Sequence, residues 1–421
     1  MNAHQKGRWK ACVVAVAAMA LVAGMVSTVP SAYAGGTIKA DDDKWISIGM
    51  GMRMSFNAVE DGSASGGQWS NNFGVNNARL YVNGKIHKYV GFEFNTECFN
   101  CYIGGGGGGG FGGNSSMGIL DAIGKFEIND PVNVWFGRLL VPTERGELNG
   151  PYYHAVFDGF RTPFNQSDFS ANVGIPGGAG LYGRDNGAVF FGKIHPGGTH
   201  LQYVAGIFTG LMGPINQRSS LKYAGRLTWN LLNEEKNPGY YTSGTYYGTA
   251  GDILALAFGG EYQNSGAGSV ANTSRFGSAV ADLLFEKVLA DKGVVTVNAE
   301  FKRYWAQDLA AFADPGCFCM FDGTSWTGYV LYLFPQEIGI GRFQPYGRYT
   351  GQNGQFSGVR EEYELGLNYV IDGHNARIST YWRNGNIGNP SLAFQQQNLN
   401  YSPGSTLQTH DAFFVALQLQ Y

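Results

Sequence analysis

Two residue sets in this chain carry chemistry by their type and spacing. The first is basic. Arg79, Lys125 and Arg226 sit at alternate positions of segments that switch between apolar and polar residues, and Arg138, Arg145, Arg161 and Arg184 cluster in and around one long connection. Alternate positions on a strand share a face. Fixed positive charges on the inner face of an enclosed sheet attract and sort anions. The second set is Cys98-x-x-Cys101 with Cys317-x-Cys319. An oxidising compartment favours disulfides at such pairs. Four convergent thiolates would also suit a metal, and free thiols are the third reading. A haem attachment needs C-x-x-C-H, but residue 102 is Tyr.

Catalytic chemistry finds no such support. There are seven histidines, and five of the six beyond residue 34 lie in turns or near strand ends. Neither G-x-S-x-G nor H-E-x-x-H occurs. The expectation is therefore no enzyme, no catalytic residues, no metal and no bound cofactor. The formal charge is −3, which leaves no basic footprint for nucleic acid.

The elements that position the basic residues read as strands. Sixteen alternating segments recur: 45–57, 77–86, 89–97, 120–128, 132–140, 187–194, 201–209, 223–231, 253–263, 276–286, 294–305, 326–334, 343–350, 362–369, 375–383 and 412–421. The last shows the pattern most openly. Phe413, Val415, Leu417, Leu419 and Tyr421 form one row, while Phe414, Ala416, Gln418 and Gln420 form the other. The phase is ambiguous in 201–209, 276–286 and 326–334. Short turns alternate with long connections, with one exception: the long 232–252 stretch falls on the short-turn side.

Composition and the N-terminal segment agree with strands in lipid. Glycine accounts for 64 of 421 residues, Tyr for 24 and Phe for 28, with only 14% charged. Mean hydropathy is −0.16. Beyond the N-terminus no apolar run is long enough for a membrane helix. Lys6, Arg8 and Lys10 precede the apolar stretch 11–29, and Ala32-Tyr33-Ala34 offers a cleavage box. Residues 1–34 thus read as a signal peptide and 35–421 as one barrel domain. Losing those three basic residues takes the formal charge from −3 to −6. Lipid supplies no hydrogen-bond partners, so a spanning sheet must close on itself. The expected fold is all-β, a 16-stranded antiparallel transmembrane β-barrel with short periplasmic turns and long extracellular loops. Sixteen strands enclose more space than wall side chains fill, so the interior is an aqueous channel unless plugged. The longest connection, 141–186, mixes charge with Tyr152, Tyr153, Phe157, Phe160 and Phe164. It reads as a constriction loop folded inward, the alternative being an external lid.

Several segments form an ordered set: A-R-L-Y-V-N-G-K-I at 78–86, V-G-F-E-F-N at 90–95, D-A-I-G-K-F at 121–126 and G-R-L-L-V-P at 137–142. G-R-D-N-G-A-V-F-F-G at 183–192, Y-E-L-G-L-N-Y at 363–369 and A-R-I-S-T-Y-W at 376–382 complete the set. In order and spacing they resemble the porin O/P family, the phosphate-selective porins of Gram-negative outer membranes. The resemblance implies a trimeric porin whose third loop narrows the pore. One departure is Leu140, where the family often has lysine. Arg138 stands two residues earlier and, counted from Leu140, would face the lumen.

The sequence therefore points to a passive channel for small hydrophilic solutes or inorganic anions, with outer-membrane lipid and two further copies as its partners. Arg138, Arg145, Arg161 and Arg184 are the expected constriction, supported by Arg79, Lys125 and Arg226. Acidic residues interleave with the basic rows, among them Glu93, Asp121, Glu261, Glu300, Glu362 and Glu364. Mixed walls select weakly, so each basic residue has a second reading as a paired wall charge. The alternative for the whole chain is a barrel acting as a surface scaffold or binding partner.

Overall fold

A computed structural model describes residues 36–63, 67–99, 116–162, 183–212, 215–306, 322–354, 358–387 and 409–421. The signal-peptide segment 1–34, Cys101, Cys317 and Cys319 lie outside the described residues.

Sixteen long strands pair antiparallel with their chain neighbours and close into a barrel. They run β2 (Trp45–Val59), β3 (Ser70–His87), β4 (Val90–Phe99), β5 (Ser116–Asn129), β6 (Val132–Leu140), β7 (Arg184–Ile194), β8 (His200–Phe208) and β9 (Lys222–Asn230). The second half is β10 (Ile253–Gly268), β11 (Thr273–Val288), β12 (Val294–Ala306), β13 (Gly323–Leu333), β14 (Arg342–Gly354), β15 (Gly358–Asp372), β16 (Ala376–Gly385) and β17 (His410–Gln420). Closure is made by β17 on β2, with Val415 opposite Phe56 and Gln418 opposite Arg53. A seventeenth strand was not expected: β1 (Gly36–Lys39) pairs with the start of β2.

Each of the sixteen expected segments is a strand, and most run longer than their alternation suggested. The 58–76 connection shrinks to ten residues because β3 starts at Ser70. The constriction loop ends at 183 rather than 186, because β7 begins at Arg184. That strand start pairs with Leu140, so the ladder reaches past the point where alternation is readable. One end of the barrel carries the short turns, such as 88–89, 130–131 and 195–199; we call it the turn end. The loop end carries the longer connections, although 269–272 and 355–357 are short there.

The outer face is apolar. Met50, Leu80, Phe136, Phe190, Leu227, Phe258, Phe301, Val330 and Leu365 are all exposed on it. A closed barrel with such a belt leaves no backbone group unpaired in hydrocarbon. The chain is accordingly a bacterial outer-membrane barrel.

The packed core sits inside the barrel, where an aqueous lumen was expected. Two connections fold inward and bring their own apolar residues. One is 141–162, which contains the short helix α1 (Arg145–Leu148). Its Ala155, Val156, Phe157 and Phe160 pack on Tyr329, Leu331, Tyr381 and Phe414 of the wall. The other is 231–252, the long connection at the turn end. Its Tyr240 packs with Trp135, Leu139, Leu140, Leu148 and Phe191, and its Tyr247 with Val294, Leu333 and Val370.

Candidate pore constriction

The inward loop is tied across the whole lumen. Its Thr143 carbonyl accepts from Arg226 of β9 at 3.0 Å. Arg145 reaches Asp282 of β11 at 2.8 Å, and the Gly146 amide donates to Glu300 of β12 at 3.0 Å. Further along, the Ala155 carbonyl accepts from Asn368 of β15 and Arg377 of β16, at 2.9 and 2.8 Å. The Phe157 carbonyl accepts from Arg53 of β2, and the Phe160 carbonyl from Thr350 of β14 at 2.7 Å. Wall arginines thus bind backbone carbonyls of the loop, which satisfies irregular backbone at membrane depth. Wall glycine makes room: a Cβ on Gly259 would lie 2.3 Å from the Thr143 carbonyl oxygen.

The second inward segment docks on the first. Tyr240 donates its hydroxyl to the Leu140 carbonyl at 2.6 Å, and the Gly244 amide to the Tyr153 carbonyl at 2.8 Å. Arg145 makes a two-pronged bond to Glu235, at 2.8 and 2.7 Å, and also donates to the Ser243 carbonyl. Gly239 has φ +56, and a Cβ there would sit 2.3 Å from the Trp135 ring. Only glycine turns the chain there against that indole. His374, in the turn between β15 and β16, contacts the Thr245 carbonyl at 2.9 Å and Ser243 at 3.0 Å. Burial, with the Arg377 guanidinium nearby, holds its imidazole down at about 3, so it is neutral and donates from Nε2 to Thr245.

The expected basic residues are placed as follows. Arg145 and Arg161 lie in the inward loop, paired with Glu235 and Asp282 and with Glu362 at 3.1 Å. Arg184 is a wall residue of β7, paired with Asp121 at 2.8 Å. Arg79 pairs with Glu97, Lys125 with Glu93, and Arg226 with Asp282. These six are ion-paired, which is the paired-charge reading of these residues.

Arg138 of β6 is buried, with Ala122 of β5 and Asn186 of β7 opposite it in the register. Gly137 before it has φ +136, which interrupts the regular alternation of the strand at this point. Cys98 is disulfide-bonded, through a partner that lies outside the described residues.

Space remains at the turn end. A cavity of about 950 Å³ opens between β2–β5 and the two inward segments. Its charged lining is Lys39, Arg79, Lys85, Lys125, Arg184 and Lys236 against Glu93 and Glu127. Lys39 and Lys236 are exposed and have no carboxylate partner among the described residues. Sequence reasoning missed both, since Lys39 precedes the first expected strand and Lys236 lies in the connection treated as an exception.

Solved structures share this architecture. An anion-selective porin from Comamonas acidovorans superposes with a TM-score of 0.56 at 12% identity, covering 89% of this chain and 99% of that one. OprB of Pseudomonas putida gives 0.55 at 10% identity, covering 89% and 94%. OmpF of Salmonella typhi, in complex with daunomycin, gives 0.53 at 10% identity, covering 92% and 100%. The barrel is of porin type. At such identities the likeness is one of fold. No family model matches the sequence, and no curated protein matches it either. Within this porin-type barrel the 141–162 loop and the 231–252 segment both fold into the lumen.

Proposed function

We propose that the chain is a passive outer-membrane channel for small hydrophilic solutes that favours inorganic anions. The observation that carries this is the charge of the open space: six basic residues line the turn-end cavity against two acidic ones. Four of the six are neutralised by neighbouring carboxylates, at Glu97, Glu93, Asp121 and Glu127. The surplus positive field then comes from Lys39 and Lys236, and unpaired charge at a pore mouth concentrates counter-ions. The segments that resemble the porin O/P family support the same reading. So does the porin-type fold, one of whose neighbours is itself described as anion-selective. On this reading the turn end faces the periplasm, residues 1–34 are a removed leader, and the working assembly is a trimer.

The test is a reversal-potential measurement in planar bilayers across a tenfold salt gradient. The wild type should prefer anions, and Lys39→Gln with Lys236→Gln should move the reversal potential towards zero or into cation preference. An unchanged potential overturns the assignment of these two lysines. A second reading, a surface scaffold without an open pore, is favoured by the two segments that cross the lumen. It is distinguished by folded barrels that insert and pass no current.

A further inference from the structure

At the turn end of the barrel three metal-ligating side chains converge. His195 and His200 flank the tight Pro196–Gly198 turn between β7 and β8. Glu234 comes from the root of the inward 231–252 segment, four residues after Asn230, which pairs with His200 across β8 and β9. One ligand atom from each of the three lies within 4.8 Å of the others. The two Nδ1 atoms face each other at 2.7 Å, with ring planes at 78°. Two N–H groups cannot point at one another, so one nitrogen carries a proton and the other offers its lone pair. A cation that binds imidazole takes the place of that proton. Glu234 Oε1 accepts from Lys193, and Oε2 takes no hydrogen bond among the described residues.

We propose that His195, His200 and Glu234 form a binding site for one divalent transition-metal ion of the zinc class. Two imidazoles and a carboxylate suit zinc, with water completing a tetrahedron. Metal–nitrogen bonds of about 2.0–2.1 Å place the two nitrogens roughly 3.3 Å apart. The rings must therefore separate by about half an ångström, which side-chain rotation of the exposed His195 supplies. The ion would fasten the root of the inward segment to the wall, because Glu234 adjoins Glu235, the partner of Arg145. Lys193 works against the site by placing a positive charge on the same carboxylate.

The experiment uses the untagged, folded barrel in detergent, stripped with chelator and titrated with Zn²⁺ against a chromogenic competitor. Co²⁺ absorption reports the ligand type. The wild type should bind one ion per chain. His195→Ala or His200→Ala should weaken it by at least about 10–100-fold, the range seen even for outer-shell losses. Lys193→Met should tighten it, while His87→Ala, at an exposed histidine elsewhere on the turn end, should leave it unchanged. Wild-type affinity retained in the His195→Ala/His200→Ala double variant overturns the site, and so does a wild type that binds no ion.

Discussion

Arg145 shows how single residues set the state of this lumen. It is fully buried and held by Glu235, Asp282 and the Ser243 carbonyl. A buried pair adds little net stability, but removing one partner costs about 3–5 kcal/mol because a charge is left stranded. Arg145 therefore fixes where both inward segments lie rather than offering a free charge to a passing anion. His374 is the second such residue, and its effect depends on pH. Docked, it is neutral with a value of about 3; released into water it would titrate near 6.5. A depressed histidine contributes stability that is complete above its released value and is lost as pH falls from there towards 3. Each pH unit within that window weakens docking of 243–245 by about 1.4 kcal/mol. Channel conductance or open probability should therefore rise between pH 7 and pH 4. His374→Gln, which keeps a donor for Thr245, should flatten that profile. An identical pH profile in the variant removes His374 from the latch.

Among the elements, the 231–252 segment distinguishes this barrel from a wide pore. Its backbone joins the inward loop at Gly244 to Tyr153 and Thr242 to Leu148, and its tyrosines close two packed clusters. The wall strands do not depend on it, because β9 and β10 pair directly from Lys222 to Gln263 and from Asn230 to Ala255. Replacing 236–247 with a short glycine–serine turn should thus leave a folded barrel with a conductance raised several-fold. A folded variant with unaltered conductance would show that current does not pass this segment. The same packing explains which strands were hard to read. Val204 and Phe208 of β8 join the Tyr240 cluster, Leu284 of β11 packs with Tyr246, and Tyr329, Leu331 and Leu333 of β13 meet the two segments. These inward residues are apolar because they face protein rather than water, and that blurred the alternation.

At the scale of the molecule, the wall is a closed ladder with a greasy exterior and an interior of paired charges. Four wall arginines anchor the inward loop: Arg53, Arg226, Arg348 and Arg377 each donate to at least one of its carbonyls. On the proposed function, selectivity would rest on the balance around the remaining space, not on a continuous ladder of basic residues. The trimer proposed here predicts recordings in which conductance appears and closes in groups of three equal steps. Single, unrelated steps would argue for independent barrels.

The sequence by itself determined the wall. Strand alternation in lipid is enforced residue by residue, since every inward position must be compatible with the lumen and every outward one with hydrocarbon. That is why all sixteen segments, and the β17–β2 closure, were legible from Trp45 to Gln420. Only the tertiary structure decided what fills the barrel. The partners of Arg145, Arg161 and Arg184 lie 63 to 201 residues away, and no local period records such a contact. The inward turn of 231–252 was settled by the packing it meets inside the barrel. Wall positions answer to their own solvent; the inward segments answer to the whole barrel around them.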